Sequence, residues 1–554
     1  MLSLLTLSCD DYLDVNQNEN RVLLQDQTPE DLLSAAQSDT YREQAQFMNR
    51  LGNIFTNAWS GNNLTFASPL FDEYTMNINV TFYSRIWDQQ FRRIANLETI
   101  AKKPNLGGKN DNFVAAAQIC KVHYMQYLVD LYGDIPYTEA FQYTANLTPK
   151  YNDDQFIYRK LIGELESAKA LIIAANPNAT DITPYDVMLG GVMSDWYAFA
   201  NTIELRMLLR MSNNTGAVAA WRDAKLITLN NDVTTGPAGY ITASVKINPG
   251  YNTKNDESLS PYYGFVEKDA TGTNVANRPF FVPSGHALKS LSLYSLYVPN
   301  SPAPFPAGTS SGNSTTVVGS QLYPNVSDPR RTRIFSNGVA ATQGSTVVDV
   351  LIASTPGAFG RAGGLGLLNP YNAVSPLLSF TDLVGVNNYV MTLAEAKFLQ
   401  AEAGLRGYTG FSAASSVADY QAGIDDSMNY LGITALAPAA IPTYKTAISN
   451  KIGYSMIAAG STPAQKLQGL MYQKWVSLIG IHGIESYIDY TRTGYPIAPL
   501  PIGNVKPNRP LRLNYPNSEY VANSANVPSL SDNEIFTVNA KSPFWLQGNP
   551  VLGN

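Results

Sequence analysis

Helical periodicity constrains the fold of this chain more than any other feature of its sequence. Between Phe113 and Leu131, apolar residues recur at spacings of three, four and seven, and Gly133 follows as a stop signal in DLYGDIP. Further helical stretches are 151–172, 194–211, 391–407 and 464–483. Helices joined by short turns, with Ala, Tyr and Phe at regular intervals, predict a mostly α fold: a tetratricopeptide-like helical-repeat scaffold. Long irregular loops and minor β-hairpins are expected around it.

The composition changes between about residues 232 and 390, where Gly, Pro, Ser, Thr and Asn dominate. From Ser290 to Ser327 the sequence has no charged residue. Long irregular segments on a rigid scaffold often carry binding sites, and an uncharged one suits a neutral ligand. The alternative is an irregular decoration that only packs on the helices. We predict a single domain over 30–554, with the helical scaffold at about 30–230 and 390–495 and a ligand-facing region at about 232–390.

Composition and motif searches exclude several classes of function. The net charge of −6 offers no basic field for nucleic acid. Two cysteines and three histidines lack metal-site spacing, and no phosphate-binding, nucleophile or dinucleotide motif occurs, so no metal or cofactor is expected. Glu395 and Glu402 lie seven residues apart on one predicted helix, a rise of about 10.5 Å, which is too far for a glycosidase pair. The sequence therefore gives no positive case for an enzyme.

Aromatic residues outside the predicted helices are the candidates for ligand contact. Sugar rings pack their C–H faces on Trp and Tyr, while amides and hydroxyls bind the sugar hydroxyls. Trp59 lies in NAWSGNNLTF, beside Asn62 and Asn63. The other candidates are Tyr262, Tyr263, Phe280, Phe281, Tyr294 and Tyr297. Trp87 has helical spacing with Phe91 and is expected in the core instead.

The first residues, MLSLLTLSC, combine a short apolar run with a small residue and Cys9. We expect residues 1–8 to be the remnant of a truncated lipoprotein signal peptide, Cys9 to be lipidated and 9–29 to form an acidic, polar tether. The alternative is a chance cysteine in a frayed terminus. No later apolar run approaches about 18 residues, so no membrane-spanning helix is predicted.

A series of motifs runs along nearly the whole chain. They are CDDYLDVN, IWDQQFRRIANLETI, YLVDLYGDIPYTEAFQ, YNDDQFIYRKL, WYAFANTIELRMLLRMS, MTLAEAKFLQAEAGLRGY with YQAGIDDSMNYLG, and QKWVSLIGIHGIESYIDYTRTGYP. In this order they resemble the SusD/RagB family, and most of all its SusD-like lipoprotein branch.

The resemblance implies an outer-membrane lipoprotein exposed at the cell surface and anchored through Cys9. Such a protein caps a SusC-like TonB-dependent transporter and delivers oligosaccharide or polysaccharide fragments to it. Asp10 and Asp11 fit the acidic surface-export signal of similar proteins, and Trp59 lies where similar glycan binders place a stacking aromatic. The alternatives are a peptide-binding RagB-type lipoprotein and, more distantly, a surface glycoside hydrolase.

Overall fold

A computed structural model describes residues 27–61, 70–278, 280–291, 323–335, 388–498, 500 and 506–546. Seven residues with a predicted role lie outside these ranges: Cys9, Asp10, Asp11, Asn62, Asn63, Tyr294 and Tyr297. The proposed signal remnant and most of the tether lie outside them as well, so both stay predictions.

The described residues are mostly helical, which confirms the predicted fold class. In chain order the helices are α1 Pro29–Glu43, α2 Asn49–Phe55, α3 Phe71–Thr75, α4 Ser84–Ala101, α5 Asp111–Tyr132, α6 Asp154–Ala174, α7 Met193–Arg210, α8 Gly216–Thr235, α9 Pro261–Val266, α10 Gly285–Ser290, α11 Arg331–Ile334, α12 Leu393–Leu405, α13 Ala413–Tyr430, α14 Ile433–Leu436, α15 Ala440–Ser449, α16 Pro463–Leu478, α17 Gly483–Thr493, α18 Asn517–Ala522 and α19 Asp532–Phe536. A π-helical turn, Gln44–Met48, joins α1 to α2.

Local sequence signals set the ends of the long helices. Helix α5 stops at Gly133, as predicted, because its φ of 69° lies in the region that glycine adopts without a Cβ clash. Helix α6 begins after Asp153, whose carboxylate accepts a hydrogen bond from the amide of Phe156. Thr392 caps α12 in the same way through the amide of Glu395. Elements coded this locally are the ones that a sequence predicts best.

Consecutive helices pack on one another and form one hydrophobic core. Helix α4 packs on α1 and α5, α5 on α6, α6 on α7 and α12 on α13. Helices that are far apart in the sequence also pack together: α7 packs on α12, and α2 packs on α17. The tetratricopeptide-like repeat itself stays a prediction.

The described strands form three antiparallel pairs. They are β1 Trp59–Gly61 with β5 Phe281–Pro283, β2 Ile135–Pro136 with β3 Tyr151–Asn152, and β4 Val245–Ile247 with β6 Asn388–Met391. Two of them, β1 with β5 and β4 with β6, join distant parts of the chain. In the first pair Trp59 lies opposite Pro283 and Gly61 opposite Phe281. This pairing brings the predicted irregular region against the end of α2.

Buried ion pairs cross-link the helices inside the core; we call this set the sealed network. Arg492 binds Glu402 through two bonds of 2.5 and 2.8 Å, and Arg210 binds Asp130 at 3.1 Å and also Glu485. Burial alone would raise the pKa of Glu402, but Arg492 and Arg406 outweigh it and lower that pKa to about 2. The carboxylates of this network are therefore structural.

Glu395, the other member of the seven-residue pair, is also fully buried. It lies 3.4 Å from Arg206 and 2.7 Å from Nδ1 of His482. Both glutamates are thus held by partners inside the protein. No helix among the described residues is long and apolar enough to cross a membrane.

Candidate functional site

The structure brings four of the predicted aromatic residues together. The ring of Trp59 lies 5.3 Å from that of Phe281, which lies 5.0 Å from that of Phe280. Tyr262 and Trp59 both approach Gly480. A Cβ placed on this glycine would lie 3.3 Å from the Tyr262 hydroxyl and 4.0 Å from the Trp59 ring. We call Trp59, Tyr262, Phe280 and Phe281 the aromatic cluster. The β1–β5 pairing assembles it from positions more than 200 residues apart.

Two of the candidates, Tyr262 and Tyr263, do not lie outside the helices, which corrects the sequence interpretation. Tyr262 and Tyr263 lie on helix α9, which Pro261 initiates because its fixed φ suits the first helical position. Trp59 and Phe281 lie in paired strands, and strand pairing packs both inside: Trp59 is 2% exposed and Phe281 0%. These rings line the protein interior, and their contact with a ligand stays a prediction.

A polar pocket of about 270 Å³ lies beside the aromatic cluster; we call it the Arg50 pocket. The residues that line it are Phe47, Arg50, Asp72, Glu73, Thr81, Phe82, Tyr83, Ser84 and Arg85. The guanidinium of Arg50 lies over the rings of Phe280, Phe281 and Tyr83 at 5.9, 5.4 and 5.3 Å. Arg50 therefore connects the pocket directly to the aromatic cluster.

The charges in the Arg50 pocket balance one another. Arg50 binds Glu73 at 3.1 Å, and the Tyr83 hydroxyl donates to the same carboxylate oxygen at 2.9 Å. Burial alone would lower the pKa of Arg50, but Tyr83 and Glu73 outweigh it and raise that pKa, so the guanidinium stays charged. Burial raises the pKa of Tyr83 well above its usual value, so the phenol stays a neutral donor. The result is a polar surface without a net charge from these three groups.

The backbone around the Arg50 pocket departs from regular structure. Phe47 lies in the π-helical turn, a feature that is frequent at functional sites. Leu70, Met76 and Tyr83 have φ values of 58°, 55° and 50°, although none is glycine. Such conformations cost about 1–3 kcal/mol each and persist only where the surroundings enforce them. No sequence pattern indicates Arg50, Glu73 or Tyr83 as site residues, because a single Arg on a helix is usually a surface residue.

A second and larger cleft, of about 660 Å³, lies between α4, residues 136–149 and α18; we call it the α4 cleft. Its aromatic residues are Trp87, Phe91, Phe141 and Tyr143. Trp87 is buried, as predicted, and its ring lies 4.7 Å from that of Phe91, which lies 5.9 Å from that of Phe141. The sequence analysis assigned no function to this part of the chain.

Among the described residues, one group of three carboxylates is close enough together to hold a cation. The oxygens of Asp134, Asp153 and Asp154 lie within 4.8 Å of one another. Asp153 caps α6, Asp154 accepts from the amide of Phe544 at 2.7 Å, and Asp134 accepts from the amide of Asp154. Burial, and then Asp134, raise the pKa of Asp154 to about 7. Each of the three carboxylates accepts a hydrogen bond from a backbone amide, which gives the group a structural role.

Comparisons with known proteins point to one family. The model of a SusD-like family, described as "Starch-binding associating with outer membrane", matches residues 20–257 and 317–516. None of the curated proteins matches the chain significantly.

Several solved structures have a similar fold. A SusD homologue from Parabacteroides distasonis is 17% identical, with a TM-score of 0.67 over 95% of this chain and 100% of its own. A SusD-like protein from Bacteroidetes is 20% identical, with a TM-score of 0.63 over 94% and 99%. A chitin-binding SusD homologue from Flavobacterium johnsoniae is 20% identical, with a TM-score of 0.59 over 90% and 93%. At these identities the likeness establishes the fold.

Proposed function

The chain belongs to the SusD-like family, described as starch-binding and associating with the outer membrane, and we propose that it is a non-catalytic nutrient-binding lipoprotein that captures oligosaccharides or polysaccharide fragments. In this proposal Cys9 carries the lipid anchor and holds the protein at the cell surface. The captured glycan passes to a SusC-like TonB-dependent transporter in the outer membrane.

The observation that carries the proposal is the position of the charge-balanced Arg50 pocket against the aromatic cluster. Uncharged sugars need planar hydrogen-bonding groups for their hydroxyls and aromatic surface for their C–H faces. Arg50 and Glu73 supply the planar groups and neutralise each other. Phe47 and Tyr83 add partly exposed aromatic surface to the lining. This combination suits a neutral oligosaccharide better than an ionic ligand.

The predicted residues fit this proposal in two different ways. Phe280 and Phe281 lie beneath the Arg50 guanidinium, and Trp59 packs on Phe281. Contact of these three rings, Tyr262 and Tyr263 with a sugar stays a prediction. Asn62 and Asn63 follow directly after β1, and we propose that they bind sugar hydroxyls together with the aromatic residues Tyr294 and Tyr297.

The proposal is tested with Arg50→Lys, which keeps the charge beside Glu73 but loses the planar fork. We expect its affinity for neutral oligosaccharides, identified on a glycan array and measured by titration calorimetry, to fall about tenfold. Arg93→Lys is the matched control, because Arg93 makes a similar 2.8 Å ion pair with Glu43 outside the pocket. The control should bind as the wild type does.

Three outcomes would count against the proposal. Equal binding by Arg50→Lys and the wild type would remove the Arg50 pocket as the site. Binding of peptides instead of glycans would establish the RagB-type alternative. Release of reducing ends from a bound glycan would establish a glycoside hydrolase.

A further inference from the structure

The α4 cleft has the groups that a sugar ring needs, and the family description does not assign it. Tyr143 is 49% exposed, Phe91 and Phe141 are partly exposed, and all three rings line the cleft. Phe141 and Tyr143 have φ values of 61° and 49°, which bulky residues rarely adopt. The backbone is thus held in a costly conformation that places two aromatic side chains at one cleft.

The loop that carries these rings is fixed before any ligand arrives. Glu139 accepts hydrogen bonds from the side chain of Asn146 and from the amide of Lys150. From the other side, Asn523 and Asn526 donate to the carbonyls of Pro149 and Thr148. A preformed aromatic wall lowers the entropy cost of binding.

The polar groups of the α4 cleft divide into occupied and available ones. The carboxylates of Asp88 and Glu519 already accept bonds from Ser518 and Trp87, and Glu139 is held as described. In contrast, the side chains of Arg92, Asn96 and Gln142 make no hydrogen bond or ion pair with another described residue. One guanidinium and two amides beside aromatic rings suit sugar hydroxyls. A peptide that inserts an apolar side chain is the competing occupant.

Helix α4 connects the two sites. Ser84, Asp88, Phe91 and Ala95 follow the spacing of four, three and four that places residues on one helix face. Ser84 lines the Arg50 pocket, whereas the other three line the α4 cleft. Ser84 and Asp88 are one turn apart, about 6 Å along the axis. The two sites therefore begin on adjacent turns of the same helix.

We infer that the α4 cleft is a second sugar subsite, and that one long oligosaccharide contacts it and the Arg50 pocket together. The inference rests on the proposed function for its ligand class. Two linked subsites make affinity depend on chain length, because the second contact is intramolecular once the first has formed. A short oligosaccharide reaches only one of them.

The test compares short and long probes, maltose with maltoheptaose and chitobiose with chitohexaose, by titration calorimetry on the full chain. In the wild type we expect the long member of the preferred series to bind at least about tenfold more tightly. The double variant Arg92→Ala/Tyr143→Ala should lose that advantage and keep the affinity for the short probe. Arg159→Ala, an exposed arginine outside the cleft, is the matched control and should behave as the wild type.

The outcomes separate this inference from the proposed function. If the double variant binds the long probe as tightly as the wild type, the α4 cleft is not a subsite, although the protein still binds glycans. If it loses both probes equally, the two subsites are not separate and the inference fails. If the wild type binds only peptides and no glycan on an array, the proposed function and this inference fail together.

Discussion

The sealed network and the Arg50 pocket are built from the same groups and differ in what surrounds them. In both, arginine binds glutamate. Arg492 and Arg210 are fully buried between helices, whereas the Arg50 side chain is 23% exposed at the edge of a pocket. Burial makes an ion pair costly to break, and exposure makes it available to a ligand. The comparison indicates that contact with solvent, more than residue type, decides whether such a group is available to a ligand.

The largest expected effect comes from breaking the sealed network with Arg492→Ala. This change removes the guanidinium that lies 2.5 Å from Glu402 and 2.9 Å from Asp489. Glu402 keeps Arg406 at 2.8 Å and Asp489 keeps Lys474 at 2.7 Å, but both buried carboxylates lose their link to Arg492. Because breaking a buried ion pair is expensive, we expect the free energy of unfolding to fall by about 3 kcal/mol. Urea unfolding followed by circular dichroism measures it.

The control for that experiment is Arg92→Ala, since Arg92 is exposed. Its free energy of unfolding should stay within about 0.5 kcal/mol of the wild type. A similar stability for both variants would contradict the structural role of the network.

A smaller effect is expected from Asp154, a buried carboxylate that lacks the arginine partner of Glu402. Its pKa is raised from 3.8 to about 7, so the folded state holds the proton more tightly than the unfolded state. Stability is therefore lost as the pH rises through this window. Asp154→Asn should be more stable than the wild type, by about 2 kcal/mol more at pH 8 than at pH 5. Urea unfolding at both pH values tests this.

Asp425→Asn serves as the matched control, because Asp425 lies on the surface, 51% exposed, with Lys445. It should change the free energy of unfolding by less than about 0.5 kcal/mol at either pH. An Asp154→Asn variant whose advantage did not grow with pH would show that Asp154 is charged in the fold without penalty.

The smallest effect is expected inside the Arg50 pocket, from Tyr83→Phe. The variant loses the hydrogen bond to Glu73 and keeps the ring beneath Arg50. We expect a loss of about 0.5–1.5 kcal/mol in glycan binding, measured by calorimetry, with little change in the melting temperature. A variant that melts much earlier yet binds glycan normally would place Tyr83 with the structural residues instead.

The sequence predicted the parts of the molecule that local signals define. The periodicity of α5 and its stop at Gly133 depend on neighbouring residues, and both are confirmed. Trp59 was predicted to contact a ligand because its neighbours are polar, and the sequence did not indicate that β1 pairs with a strand more than 200 residues away, which buries this ring. No window of sequence contains that partner.

The Arg50 pocket and the α4 cleft could not be predicted for the same reason. Arg50, Glu73 and Tyr83 come from α2, α3 and the start of α4, and they meet only through packing. The segment 136–149, which carries Phe141 and Tyr143, is held at Thr148 and Pro149 by Asn526 and Asn523 of the C-terminal segment. Sequence patterns report which residue types are present, and tertiary packing decides which of them reach a ligand.

The pairing of β1 with β5 also bears on how ligand preference can diverge. Its bonds are made by backbone atoms of Trp59–Gly61 and Phe281–Pro283, so they do not depend on the side chains that follow Gly61. Substitutions or insertions after residue 61 can accumulate while this anchor persists. Backbone pairing between β1 and β5 thus lets the architecture persist while the sequence after Gly61 changes.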